Sequence, residues 1–127
     1  MKSVVRHAFA ASLLLASCWS QALTLAPYSQ SALAAAQKAG APVVLHFHAN
    51  WCPTCRAQDK AFEALKADPS LNVTLMQVDY DKEKALEKQM HVTAQSTLIV
   101  LHGATERSRS TGETDPARLK STLQSAL

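Results

Sequence analysis

Val43-Val44-Leu45-His46-Phe47-His48-Ala49-Asn50-Trp51-Cys52-Pro53-Thr54-Cys55 is the stretch that decides the fold. Its first half is apolar on both alternating faces, the pattern of a strand at the centre of a sheet. Helix-favouring residues follow from Arg56 to Lys66, with Ala61, Phe62 and Leu65 as an apolar stripe. A strand therefore delivers Cys52 to the first turn of a helix. The free N–H groups and positive dipole end found there stabilise a thiolate. A thiolate is the attacking species in disulfide exchange. Pro53 suits the first helical turn, where its missing N–H leaves no gap. Cys55 lies one turn further along, on the same side of the helix, so the two sulfurs can close a small ring or open it. As a structural staple this ring would remove little chain entropy, and redox function is the stronger reading.

Working outward, Ala41-Pro42 breaks the chain before the strand, and Ser29 to Ala39 reads as an alanine-rich helix. Ser29 or Ser31 caps its start and Gly40 ends it. Leu23 to Tyr28 is either a short edge strand or an extended arm. Beyond the cysteines, Asn72 to Asp79 is a second buried strand, and Asp81 to Met90 a charged amphipathic helix. Ser96 to His102 and Thr105 to Thr111 are two strands joined by a turn at Gly103-Ala104. Asp115 caps a last helix through Leu127, with Pro116 at its first position. Alternating elements followed by a hairpin predict an α/β fold, with a mixed central sheet of about four strands flanked by helices.

The 127 residues suggest one domain behind a leader. Lys2, Arg6 and His7 form a positive segment, Ala8 to Ala16 a short apolar one, and Ser20-Gln21-Ala22 a small-x-small cleavage site. The expected boundaries are a signal peptide at 1–22 and a domain at 23–127. In the alternative, Leu15-Ala16-Ser17-Cys18 is a bacterial lipobox, the signal is 1–17 and Cys18 is lipidated. Export would place the cysteines in the periplasm, where disulfides persist. The net charge of +3 falls near +1 without Lys2 and Arg6, which gives no footprint for nucleic acid or a membrane surface. Lys82, Lys84 and Lys88 among Glu83 and Glu87 read as a solvated helix face. His91 and His102 read as surface residues, and Asp79 as a strand-end turn residue.

The element order, with WCxxC between the first core strand and its helix, resembles the thioredoxin superfamily from about Ser29 to Leu127. Ala49-Asn50-Trp51, Val78-Asp79 and Ser96-Thr97-Leu98 add to the likeness, as do glycines at 103 and 112. The resemblance implies that Cys52 is an exposed attacking thiolate and that Cys55 is the resolving thiol. Trp51 would flank and shield the site, while Pro53 and Thr54 would tune the potential. The residues Gln95, Ser96 and Thr97 would form the loop that grips a substrate. It further implies protein thiol or disulfide substrates, a monomer, and no organic cofactor or metal. Outside the cytosol, a membrane electron donor would be needed to keep the cysteines reduced.

Three departures stand out. The family usually places a cis-proline where Ser96 stands, and a trans bond is expected here because cis costs about 2.5–4 kcal/mol without proline. A buried aspartate usually sits where His46 stands. His46 could accept the proton of the resolving thiol, favour thiolate as an imidazolium, or be a hydrogen-bonded core residue. Lys60 replaces a kink-forming proline, which predicts a straighter helix. The expected function is a periplasmic thiol–disulfide oxidoreductase, with a reducing direction favoured. The rival is a binding module that holds a client or a metal without turnover. His46 and His48 share a strand face and could join the cysteines around zinc, but their spacing does not follow the finger pattern, and no metal is assigned.

Overall fold

The apolar run 43–47 behaves as its composition requires: Val43, Val44, Leu45 and Phe47 are buried in β2 (Pro42–His48), the middle strand of the sheet. The computed structural model describes residues 22–127, so the leader up to Gln21, with Ser20 and Gln21 of its cleavage site and Cys18, lies outside the described residues. The other elements are β1 (Thr24–Pro27), α1 (Gln30–Lys38), α2 (Pro53–Leu65), β3 (Thr74–Asp79), α3 (Lys84–Gln89), β4 (Thr97–His102), β5 (Thr105–Thr111) and α4 (Pro116–Gln124).

The sheet has five strands, in the order β1-β3-β2-β4-β5. The expected four are joined by β1, which settles the choice between strand and arm at residues 24–27. β1 runs parallel to β3 from Thr24 opposite Thr74 to Pro27 opposite Gln77. Pro27 is tolerated there because an edge strand needs only one row of hydrogen bonds. β2 pairs parallel with β3 and antiparallel with β4, and β4 pairs antiparallel with β5. The connections β1-α1-β2 and β2-α2-β3 each join parallel strands through a helix, as such crossovers require.

Side chains alternate across β2 and so divide the core in two. Val43, Leu45 and Phe47 pack with Leu33 of α1 and Leu86 of α3. On the other face, Val44 packs with Phe62 of α2 and with Leu119 and Leu123 of α4. His46 and His48 share the Val44 face by parity, which aims both at α2.

Local signals fix most helix ends. Ser29 Oγ accepts from Ala32 N–H at 3.1 Å, and Asp115 Oδ1 accepts from Arg118 N–H at 2.9 Å. Gly40, at φ +66°, closes α1. Gly103, at φ +58°, lies so close to Gly40 that a Cβ on it would stand 3.2 Å from the Gly40 Cα. The hairpin turn thus rests against the end of α1. α3 starts later than its charge pattern suggests. Asp79 Oδ1 accepts from Asp81 N–H at 3.0 Å, which holds the chain in a turn before Lys84.

Candidate active site

Cys52 is the N-cap of α2 and Pro53 its first residue. The Cys52 Sγ accepts a hydrogen bond from the Cys55 N–H at 3.1 Å. A sulfur here takes one of the orphan donors of the first turn. The two cysteines are unbridged and both are buried, Cys52 to 1 % exposure. That corrects the expectation of an exposed attacking sulfur. Ala49 and Tyr80 pack around the pair, so the chain's own side chains cover it.

Trp51 is 56 % exposed, and its Nε1–H donates to Asp81 Oδ2 at 2.9 Å, which ties the indole to the turn after β3. Arg56 donates to Asn50 O at 3.1 Å and braces the loop from the other side. Burial, with Cys52 alongside, pushes the Cys55 thiol up to about 11, and the backbone of Ala49 and Ser96 acts in the opposite sense. The Ser96 loop therefore does face the cysteines.

That loop departs from its expected chemistry in one respect and meets it in another. The described residues contain no cis peptide bond, so Gln95–Ser96 is trans, and Ser96 instead takes φ +58°. Its N–H donates to Phe47 O at 2.8 Å, and its carbonyl accepts from Gly112 N–H at 3.1 Å. A proline could make no such donation. Thr97 Oγ1 donates to Ala94 O at 2.8 Å and lies 2.9 Å from Thr111 Oγ1.

His46 is 1 % exposed, and burial pushes its pKa down from 6.5 to about 4, against the opposing pull of Gln58 and Asp59. It is neutral near pH 7, which removes the reading of a resting imidazolium that favours thiolate. Its Nε2 lies 2.9 Å from Gln58 Oε1. His48 Nε2 lies 2.8 Å from Asp59 Oδ2. Gln58 and Asp59 escaped the reading of the sequence. The signal was present: 55, 58, 59 and 62 recur at helical spacing, which puts both on the face of α2 that carries Cys55 and Phe62.

Beside this face lies a cavity of about 740 Å³ that His46, His48, Asp59, Glu63, Gln77 and Asp79 help to line. Neither cysteine borders it. Among the described residues, no three His, Cys, Asp or Glu side chains converge on a metal position. Lys84 pairs with Glu87, which is buried rather than part of a solvated face. His102 Nδ1 lies 2.7 Å from Ala126 O and so anchors the end of the chain to β4.

The family model for thioredoxin matches residues 25–125. The chain belongs to the thioredoxin family. It is 31 % identical over 67 residues to Thioredoxin 2 of Plasmodium falciparum, a stretch covering 53 % of this chain and 43 % of that protein. The chain spans about half the length of the curated relatives it matches. Among solved structures, Trxlp from Edwardsiella tarda EIB202 superposes with a TM-score of 0.75 at 39 % identity, over 79 % of this chain and 98 % of that one. A mutant thioredoxin from Halobacterium salinarum NRC-1 gives 0.69 at 21 % identity over 84 % and 91 %, a likeness of fold. The thioredoxin fold thus accounts for the mixed sheet and for the placing of both cysteines at the start of α2. Among the described residues, no helix is long and apolar enough to cross a membrane.

Proposed function

We propose that this chain is an exported thiol–disulfide oxidoreductase that reduces disulfides of protein substrates in the periplasm. The observation that carries this reading is Cys52 at the N-cap of α2, its sulfur held 3.1 Å from the Cys55 N–H. Cys52 attacks a substrate disulfide and forms a mixed disulfide. Cys55 then attacks the Cys52 sulfur and releases the substrate as a thiol. Trp51, Pro53 and Thr54 frame the entry, and Gln95, Ser96 and Thr97 supply the loop against which a peptide would lie. A membrane electron donor returns Cys52–Cys55 to the dithiol.

Burial of Cys55, which pushes its thiol up, suits a resolving thiol that keeps its proton until the mixed disulfide has formed. The reducing direction is the reading that the titration below tests. The N-terminal pattern of positive, apolar and small residues supports export, with release before Leu23 or a lipid anchor at Cys18 as the two forms. Titration of residues 23–127 in glutathione or dithiothreitol buffers, with thiol trapping, tests the direction. A potential near about −270 mV is expected, and one near about −120 mV overturns it in favour of an oxidant.

The burial of Cys52 favours one second reading, a binding module that holds a client without turnover. Absence of disulfide turnover in the wild-type chain, with client binding retained in Cys52→Ala, would decide for it.

A further inference from the structure

Gln58 is a fully buried amide on α2, one helical turn beyond Cys55. A polar side chain so placed must find its partners inside the protein. Its Nε2 donates to Ser96 O at 3.1 Å and to Glu113 O at 2.9 Å, while Oε1 lies 2.9 Å from His46 Nε2. Both carbonyls only accept, which fixes the nitrogen at that end and uses both of its protons. One side chain thus ties the cysteine-bearing helix to two loops. The first leads into β4. The second joins β5 to α4 and is stiffened by its own bonds, since Glu113 Oε1 accepts from the Thr114 and Asp115 N–H groups at 3.0 and 2.9 Å.

Ser96 needs such a hold. Its φ of +58° is one that a residue with a side chain keeps only where the surroundings over-determine it. Here they do. Its N–H donates to Phe47 O, and its carbonyl accepts from both Gly112 N–H and Gln58 Nε2, which fills both lone pairs. Of these three contacts, the one from Gln58 alone comes from a side chain. The backbone held in this way faces the Cys55 sulfur. Next to it, the N–H and C=O of Gln95 make no hydrogen bond among the described residues, and Gln95 is half-buried. They are a free donor and acceptor one residue from the contact with Cys55, the pair that an extended peptide takes up.

We propose that Gln58 is a positioning residue that holds Ser96 in its left-handed conformation and so sets the backbone of Gln95 to pair with a substrate peptide beside Cys52. This role presupposes the disulfide exchange proposed for Cys52 and Cys55 and the substrate loop proposed at residues 95–97. A proline at 96 could not take over the same geometry, because its φ is fixed at about −65° and it has no N–H for Phe47 O. The chain fixes this loop by hydrogen bonds from α2 where the family usually has a proline ring. The consequence is selective. A peptide disulfide reaches Gln95 and depends on the loop, whereas a disulfide without a peptide backbone meets the cysteines alone.

The first test needs no variant. In the wild-type chain, ¹H–¹⁵N NMR should show both side-chain amide protons of Gln58 protected from exchange with solvent. Exchange as fast as that of an exposed glutamine overturns the proposal. The second test compares two probes, a synthetic peptide closed by one disulfide and hydroxyethyl disulfide, which has no backbone to pair. Gln58→Met keeps the length and apolar stem of the side chain but loses both donors. It should raise KM for the peptide about tenfold, the effect expected of one or two backbone hydrogen bonds, with kcat within about twofold. For hydroxyethyl disulfide, kcat/KM should change by less than about twofold. An equal loss on both probes means that Gln58 acts on the cysteines or on α2 as a whole, and overturns the role, as does no loss on either. In a Ser96→Gly background the left-handed conformation is unstrained, so Gln58→Met should there raise the peptide KM by less than about threefold. Effects that simply multiply overturn the link through Ser96. Should the wild type reduce neither probe, the oxidoreductase reading fails and this role falls with it. A wild type that reduces both, with a peptide KM unmoved by Gln58→Met, removes the role alone.

Discussion

Burial of a neutral imidazole links His46 to the acid stability of the protein. Its folded pKa lies near 4, below its ordinary 6.5, so between those values the unfolded chain binds a proton that the folded chain refuses. Stability is therefore complete above pH 6.5 and falls as pH drops through the window to 4. The shift is worth on the order of 3 kcal/mol at 1.36 kcal/mol per pKa unit. Urea melts of the wild type and His46→Gln from pH 7.5 to 4 should give a difference curve that changes across that window. A difference independent of pH would show that His46 does not titrate on unfolding. Ser96, like His91, has an unusual backbone. It holds a left-handed conformation that costs a non-glycine residue roughly 1–2 kcal/mol, and its N–H and carbonyl are both engaged across the strand ends.

The N-terminus of α2 joins local chemistry to helix stability, because the attacking sulfur is also the cap. Serine at position 52 keeps an acceptor for the Cys55 N–H, whereas alanine leaves it unmet. Reduced Cys52→Ser should be more stable than reduced Cys52→Ala by about 1 kcal/mol in urea melts, with both inactive in disulfide exchange. Equal stability would mean that the sulfur contributes nothing as a cap. Much of this element was legible: the apolar run, Pro53 and the helix-favouring residues placed α2 from Pro53 to Leu65 with little to adjust. Other elements were less so. α3 lost its first turn because Asp79 hydrogen-bonds the backbone that follows it, a competition that charge periodicity does not register. Gln58 passed unnoticed because a buried glutamine resembles any polar residue of an amphipathic helix until its three partners, from β2, Ser96 and Glu113, are brought together by the fold.

At the level of the whole molecule, the core is two apolar layers separated by one sheet, and its reach to the N-terminus exceeds what a run of four residues announced. β1 is short and polar at its start, so its membership of the sheet depends on pairing with β3, which no local pattern encodes. Leu23, just before it, is buried with Leu71, Val73 and Leu75. Leu23→Ala should cost about 2–4 kcal/mol in reversible unfolding, the range for a leucine removed from a packed core. A loss below about 0.5 kcal/mol, the level of an ordinary surface change, would mean that this end of the chain adds little. The pairing of Thr24 with Thr74 has a consequence for the order of assembly. The strand made first has no partner until β3 has emerged, so it closes a long loop late, against a substantial entropic barrier. Throughout that interval the sheet has no finished outer edge, and the open side of β3 stays ready to take up a strand from elsewhere until β1 covers it.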